Sequence, residues 1–328
     1  MEPILQSGGS ALVAGCGYLG RRVADRLLAR GITVYTLTRS TEKADQFRQA
    51  GLQPIVGHLE KRHGLPVLPP VDAVLWAVGF DRQAGNSRES VWLDGLRQLV
   101  QSLSRNPPPR RFVYVSSTGV YGDAGGSAVD ESTAAIPTTE SGQVCLKGEQ
   151  LLSTTLSHHL PQTLGVILRM AGIFGPGRLL RRVQDLREGT PIAAAPDDWL
   201  NLIHVDDATS AVEYFLTQPV AVNDLLCQPS EISSAATANT HDLPTINIAN
   251  QPTLTRRQYY STLARACDAP APVFASAKAD QSREGETLQQ ERHRPSSGNK
   301  QITSIFRSRL KGLEFQYDDI QKGIRASV

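Results

Sequence analysis

The stretch "ALVAGCGYLG", residues 11 to 20, constrains the chain more than any other. A short apolar run ends in Gly15, Gly17 and Gly20, then passes into "YLGRRVADRLLARG". There Leu19, Val23, Leu27 and Leu28 recur at helical spacing, and Gly31 stands as the stop. A second apolar run, "TVYTL", follows, so that strand, glycine turn, helix and strand make a right-handed βαβ unit. Each glycine has a physical task in such a unit. Gly15 permits the tight turn, Gly17 lets the backbone approach a pyrophosphate, and Gly20 allows the helix to pack closely on the strand, with the helix N-terminus facing the anion. The spacing alone also suits a packing turn; its place at the head of a repeating α/β pattern points to dinucleotide binding.

That pattern runs from Ala11 to about Leu216. The runs "ALVAG", "TVYTL", "QPIVG", "AVLWAV", "RFVYVSS" and "LGVILR" alternate with helical segments, which predicts an α/β fold: a doubly wound, parallel Rossmann-type sheet with helices on both faces. "NPPPRRF" stops a covering helix before the fifth of these strands. We expect residues 1–170 with 201–227 to form the dinucleotide-binding domain, and 171–200 with 228–328 a smaller C-terminal substrate or cap domain. The stretches near 228–250 and 274–299 are polar or highly charged and read as surface insertions, expected to be mobile. "LTRRQYYSTLARACDAP" between them has helical spacing, and the last segment, from "ITSIF" onward, can add a helix and some core.

At 328 residues the chain can bury a substantial core without disulfides. Cys16, Cys145, Cys227 and Cys267 are far apart, with no C-x-x-C pair or histidine cluster, so no metal site is expected. A net charge of +2 gives no field for nucleic acid, and the apolar runs are far shorter than a membrane span. The expectation is a soluble, cytoplasmic protein with a small-molecule partner; pairing into a homodimer is left open.

The end of the second strand bears on cofactor choice. An acidic residue there would grip the ribose hydroxyls of NAD, but the strand ends "TLTRS". Arg39 can instead pair with a 2′-phosphate, which favours NADP over NAD. The alternative is a solvated arginine, since Glu42 and Lys43 share its loop.

Three later segments, "FVYVSSTGVYGDAGG" with "VDE" following, "ILRMAGIFGPGR" and "NLIHVDDATSAVEYFL", occur in the order found in the extended short-chain dehydrogenase/reductases. The chain resembles that group, which includes NAD-dependent sugar-nucleotide epimerases and dehydratases, over about residues 10 to 227. The resemblance implies that Gly15, Gly17 and Gly20 hold the pyrophosphate, with Tyr18 and Leu19 also at the cofactor, and that Arg39 lies by the adenosine ribose. It also implies that Leu59 lies by the adenine and that Ala77, Val78 and Gly79 line the cofactor. Ser117, four residues before Tyr121, matches the hydroxyl residue that bonds a substrate oxygen, although a strand-end serine satisfying backbone is the plainer alternative. Thr118 and Gly119 stand where sugar-nucleotide 4,6-dehydratases carry an Asp-Glu pair, which disfavours elimination chemistry.

Hydride-transferring members of the group use Tyr-x-x-x-Lys on the next helix, one turn apart on one face. In "ESGQVCLKGEQLL" Lys147 fits the lysine, but Gln143 stands at the tyrosine position. A carboxamide does not titrate near neutral pH, and loss of a general acid/base forfeits about 10² to 10⁴ in rate. None of the eight tyrosines has lysine four residues on, so the chain resembles atypical members that keep the fold without the full catalytic set. Tyr121 is then the nearest substitute acid by motif position, and Lys147 can still serve the nicotinamide ribose or be merely solvated. On the substrate side, Arg178, with Arg181 and Arg182, can bind a phosphate or carboxylate, or form a charged helix face. In "HVDD", Asp206 or Asp207 is expected to cap a helix and His204 to support the loop. Two functions stay open: an NADP-dependent oxidoreductase or epimerase-like enzyme acting on a small or nucleotide-linked hydroxyl or carbonyl substrate, and a non-catalytic NADP-binding regulatory or scaffold protein.

Overall fold

A computed structural model describes residues 3–61, 64–219, 243–275 and 298–328. Seven strands build the central sheet: β1 (Ser10–Ala14), β2 (Thr33–Thr38), β3 (Gln53–Val56), β4 (Ala73–Trp76), β5 (Arg111–Ser117), β7 (Leu164–Met170) and β11 (Thr245–Ile248). Short strands β6 (Ala128–Val129), β8 (Gly172–Phe174), β9 (Trp199–Leu200), β10 (Leu202–His204), β12 (Leu254–Thr255) and β13 (Gln301–Ile302) make two-stranded pairs outside it. The helices are α1 (Tyr18–Ala29), α2 (Thr41–Gln49), α3 (Gly95–Leu103), α4 (Glu140–His159), α5 (Leu180–Arg187), α6 (Val205–Thr217), α7 (Arg256–Ala266) and α8 (Ile320–Arg325).

The sheet order is β11-β7-β5-β4-β1-β2-β3, with every pairing in it parallel. Chain direction across the sheet therefore reverses between β1 and β4, and the crevice at their carboxyl ends is where such sheets take ligands. Alternation along the strands feeds two cores. Val13 packs with Val23 and Leu27 of α1 and Ala208, Val212 and Phe215 of α6, while Leu12 points the other way, to Leu96 and Leu99 of α3 and Leu152 and Leu156 of α4. A third apolar cluster joins Val183 and Leu186 of α5 to Tyr259, Tyr260 and Leu263 of α7 and Ile320 and Ile324 of α8.

All six strands expected in the sheet are present, and a seventh comes from an unexpected place. "TINI" lies at the end of the stretch near 228–250 taken for a surface insertion, yet it forms β11 and pairs with β7. Its Ile246 and Ile248 are buried, and Asn247 sits between them with its backbone N–H donating to Glu131 (2.8 Å). Residues 228–242 and most of the charged stretch 274–299 lie outside the described residues. Among the described residues no helix is long and apolar enough to cross a membrane, and no metal-binding cluster is found.

Candidate functional site

The glycine turn closes as its sequence requires. Gly15 adopts φ +95°, and a Cβ there would collide with the Ala77 carbonyl at the end of β4. A Cβ on Gly20 would collide with the Gly15 carbonyl, so α1 packs directly on the turn. Gly17 is different: a Cβ there would meet nothing within 4 Å, which leaves its backbone open to a ligand. No side chain caps the N-terminus of α1, and its first turn carries no acid. Backbone donors and the positive end of the helix therefore face open space, an arrangement suited to an anion.

That space is a cleft of about 550 Å³, open to solvent. Gly15, Gly17, Tyr18, Leu19, Arg39, Leu59, Ala77, Val78, Gly79 and Arg178 all border it. Residues chosen from widely separated parts of the sequence thus converge on one groove. Gly20 stays beneath it as a packing residue. Cys16 also borders the groove, but burial pushes its thiol up to about 12, so it is no nucleophile there. Val91, Val115 and Ile173 border it too.

Arg39 is not free. Its guanidinium pairs with Asp81 (Nη2 to Oδ2, 3.3 Å), and both groups border the cleft about half exposed. Asp81 follows β4, and its other carboxylate oxygen accepts from the Gln83 N–H at the start of a short turn of helix. The carboxylate absent from the end of β2 is thus present on another loop. A charged residue just after an apolar strand run was the available sequence signal.

Ser117, Tyr121, Gln143 and Lys147 are not among the residues bordering the cleft. Ser117 ends β5 half-buried, its Oγ accepting from the Gly119 N–H (3.1 Å). That bond uses a lone pair and leaves the hydroxyl proton to donate. Gln143 and Lys147 lie exposed one turn apart on α4, and Lys147 Nζ pairs with Glu89 Oε1 (2.8 Å) from the segment ahead of α3. Arg88 beside it pairs with Glu140 (3.3 Å), so neighbouring residues meet the helix one turn before and one turn after Gln143.

Tyr121 stands apart from its proposed use. Its ring is buried beneath the Arg169 guanidinium (4.8 Å), and its hydroxyl donates to Asn247 Oδ1 (2.9 Å). Burial pushes that hydroxyl up to about 12, with Arg169 pulling the other way. The structure gives it the work of tying β11 to the turn after β5. Glu149 and Arg169, which the sequence did not mark, form a fully buried bidentate pair (Nε to Oε1 3.0 Å, Nη2 to Oε2 2.7 Å), and Ser116 donates to the same carboxylate (2.6 Å). This pair fastens α4, the helix carrying Gln143 and Lys147, to β5 and β7.

The helix cap in "HVDD" is His204. Its Nδ1 accepts from the Asp206 N–H (3.2 Å). Asp207 is buried instead, accepting from Asn250 (3.0 Å) and from the backbone of Gln316 (2.7 Å). His204 packs against Phe174 and Tyr317 and supports this junction.

A doubly wound parallel sheet with a glycine turn at its switch point is a Rossmann-type dinucleotide-binding fold. The model of the NAD dependent epimerase/dehydratase family matches residues 11–225, and the chain belongs to that family. It is 31% identical over 216 residues to protein YeeZ of Escherichia coli K12, covering 63% of this chain and 73% of that one. Among solved structures it is similar to a putative NAD-dependent epimerase/dehydratase from Methylobacillus flagellatus (26% identity, TM-score 0.65, 97% and 96% of the two chains). The fold also matches UDP-glucuronic acid 4-epimerase from Bacillus cereus, a structure in complex with NAD (18% identity, TM-score 0.69, 97% of each chain).

Proposed function

We propose that the protein is an oxidoreductase or epimerase-like enzyme that binds NADP in preference to NAD and acts on a small or nucleotide-linked hydroxyl or carbonyl substrate, without the usual tyrosine acid. The observation that carries the reading is the cleft itself, bordered by the open backbone of Gly17 at an uncapped helix end and by Arg39 and Lys43. The nicotinamide cofactor would supply or accept the hydride. Gly15, Gly17, Tyr18 and Leu19 would hold its diphosphate, Leu59 its adenine, and Arg39 its 2′-phosphate. Ser117 would donate a hydrogen bond to the substrate oxygen from the end of β5, and Lys147 would leave Glu89 for the nicotinamide ribose. Neither Ser117 nor Lys147 replaces the missing tyrosine, so slow turnover is expected.

An NADPH-oxidation screen over sugar nucleotides, small ketones and quinones, run beside a binding titration, tests this. Wild-type chain should bind NADPH, and Gln143→Tyr should raise reductase turnover by about 10² or more, the lower range of what a positioned acid contributes. NADPH binding with no turnover by either protein would favour a regulatory role, and no NADPH binding would overturn the reading altogether.

A further inference from the structure

The arginine taken from the sequence as a substrate anchor lies against the cofactor turn. We propose that Arg178 is a diphosphate clamp of the dinucleotide cleft, oriented by Tyr18 and reaching across from the cap side. The inference rests on the dinucleotide-binding reading above and adds to it a residue outside the glycine turn.

Arg178 follows β8 through the turn Gly175-Pro176-Gly177, and its guanidinium carbon lies 4.3 Å from the centroid of the Tyr18 ring. Tyr18 is the first residue of α1, and its hydroxyl donates to the Pro176 carbonyl (2.9 Å), which ties the glycine turn to the turn carrying Arg178. Arg22, one helical turn on, lies 4.2 Å from the same ring and donates to the Tyr18 carbonyl (2.9 Å). The ring is thus fixed by its own hydroxyl bond and by two cations. A guanidinium laid on an aromatic ring gives up rotamer freedom yet keeps its N–H fork available at the edge.

Charge balance separates the two arginines. Arg22 has Asp206 at 4.0 Å, whereas Arg178 has no carboxylate partner among the described residues. Arg178 therefore brings an uncompensated, half-oriented cation to the cleft beside Gly17, where the helix N-terminus already presents donors and no acid stands in the first turn. A diphosphate between these two positive groups would be held from both sides, by backbone on one and by a bidentate fork on the other. Leu179 next to it is buried in the third apolar cluster with Leu186 of α5, Leu263 of α7 and Ile324 of α8. Closing Arg178 on a diphosphate would accordingly link the bound dinucleotide to the cap.

Wild-type, Arg178→Ala, Arg178→Lys and Tyr18→Ala proteins are titrated with NADPH, ADP-ribose and 2′-AMP by fluorescence and displacement. ADP-ribose carries the diphosphate without the 2′-phosphate, and 2′-AMP the reverse. A charge-assisted contact predicts that Arg178→Ala weakens NADPH and ADP-ribose by about 10- to 100-fold and changes 2′-AMP by less than about twofold. Arg178→Lys keeps the charge without the fork and should fall between. Tyr18→Ala frees the arginine and should weaken the same two ligands, by less. If Arg178→Ala leaves ADP-ribose within about twofold of wild type, or weakens all three ligands alike, the clamp is overturned. Failure of wild type to bind NADPH would instead defeat the dinucleotide reading on which the clamp rests.

Discussion

In the proposed NADP preference Arg39 is the discriminating residue, and its guanidinium pairs with Asp81. Both groups are about half exposed, so their pair is worth only about 0–1 kcal/mol, and a 2′-phosphate carrying more charge should displace the carboxylate. Asp81→Asn is therefore expected to tighten NADPH binding by about two- to fivefold, the effect shrinking as salt is added. Arg39→Ala should weaken NADPH by about tenfold or more while leaving NADH within about twofold, both read by nicotinamide fluorescence. The outcome to watch for is an Arg39→Ala protein that loses NADH as severely as NADPH, which would remove the basis for an NADP preference. At this scale the sequence was legible where backbone sets the chemistry. Gly15, Gly17 and Gly20 act through their own missing side chains, so local spacing reveals them. Asp81 was legible only as a charged residue after an apolar run, because its role comes from a partner 42 positions away.

Helix α4 shows how differently two ion pairs on one element behave. Lys147 and Glu89 are each 57% exposed, and such a contact contributes little to stability. Glu149 and Arg169 are both fully buried. Burial disfavours the Arg169 cation, but the Glu149 carboxylate more than offsets this and holds its pKa above the ordinary value. Removing one partner leaves the other charged and unpaired inside the protein. Glu149→Ala should therefore destabilise the fold by about 3–5 kcal/mol in urea unfolding, while Lys147→Ala stays within about 1 kcal/mol of wild type. Equal losses in the two variants would contradict this division. The helix itself was readable from its pattern, with Thr139 capping its start through the Gly142 N–H (3.1 Å). What anchors it was not, since a glutamate and an arginine 20 residues apart carry no local mark of burial.

For the whole molecule, the last residues decide how the parts are held. Strand β13 pairs with β6, Glu131 accepts from Ser304 and the Ile305 N–H as well as from Asn247, and Asp207 receives the backbone of Gln316 and Tyr317. His204 lies in this junction, its Nε2 near Ser327 Oγ (3.2 Å) and its ring 4.0 Å from that of Tyr317. Burial holds its imidazole below the ordinary value, against the opposite pull of Asp206 and Asp207 and with Arg22 adding to the depression. The unfolded chain then takes up this proton at higher pH than the folded one, so the contribution is intact above the ordinary value of 6.5 and is lost as pH falls toward the folded value. Burial raises Glu131 and Asp207, which favours the folded state on acidification, but in a window near and just above ordinary carboxylate values. Between about pH 7.5 and pH 5.5 the histidine should dominate, and wild type should lose more Tm than His204→Asn, which keeps an acceptor for the Asp206 N–H. Parallel Tm curves for the two proteins would rule the histidine out.

The sequence by itself determined the βαβ unit, the parallel sheet and the glycine turn, because hydrophobic periodicity and glycine spacing act within a few residues of chain. It also determined that Gln143 stands where a titrating side chain would be. Tertiary structure alone decided that "TINI" completes the sheet, that Tyr121 turns into the core, and that Asp81, Glu89 and Arg178 meet Arg39, Lys147 and Tyr18. Those outcomes depend on pairings between distant segments, whose energy exists only once packing has brought the partners together and excluded water from between them.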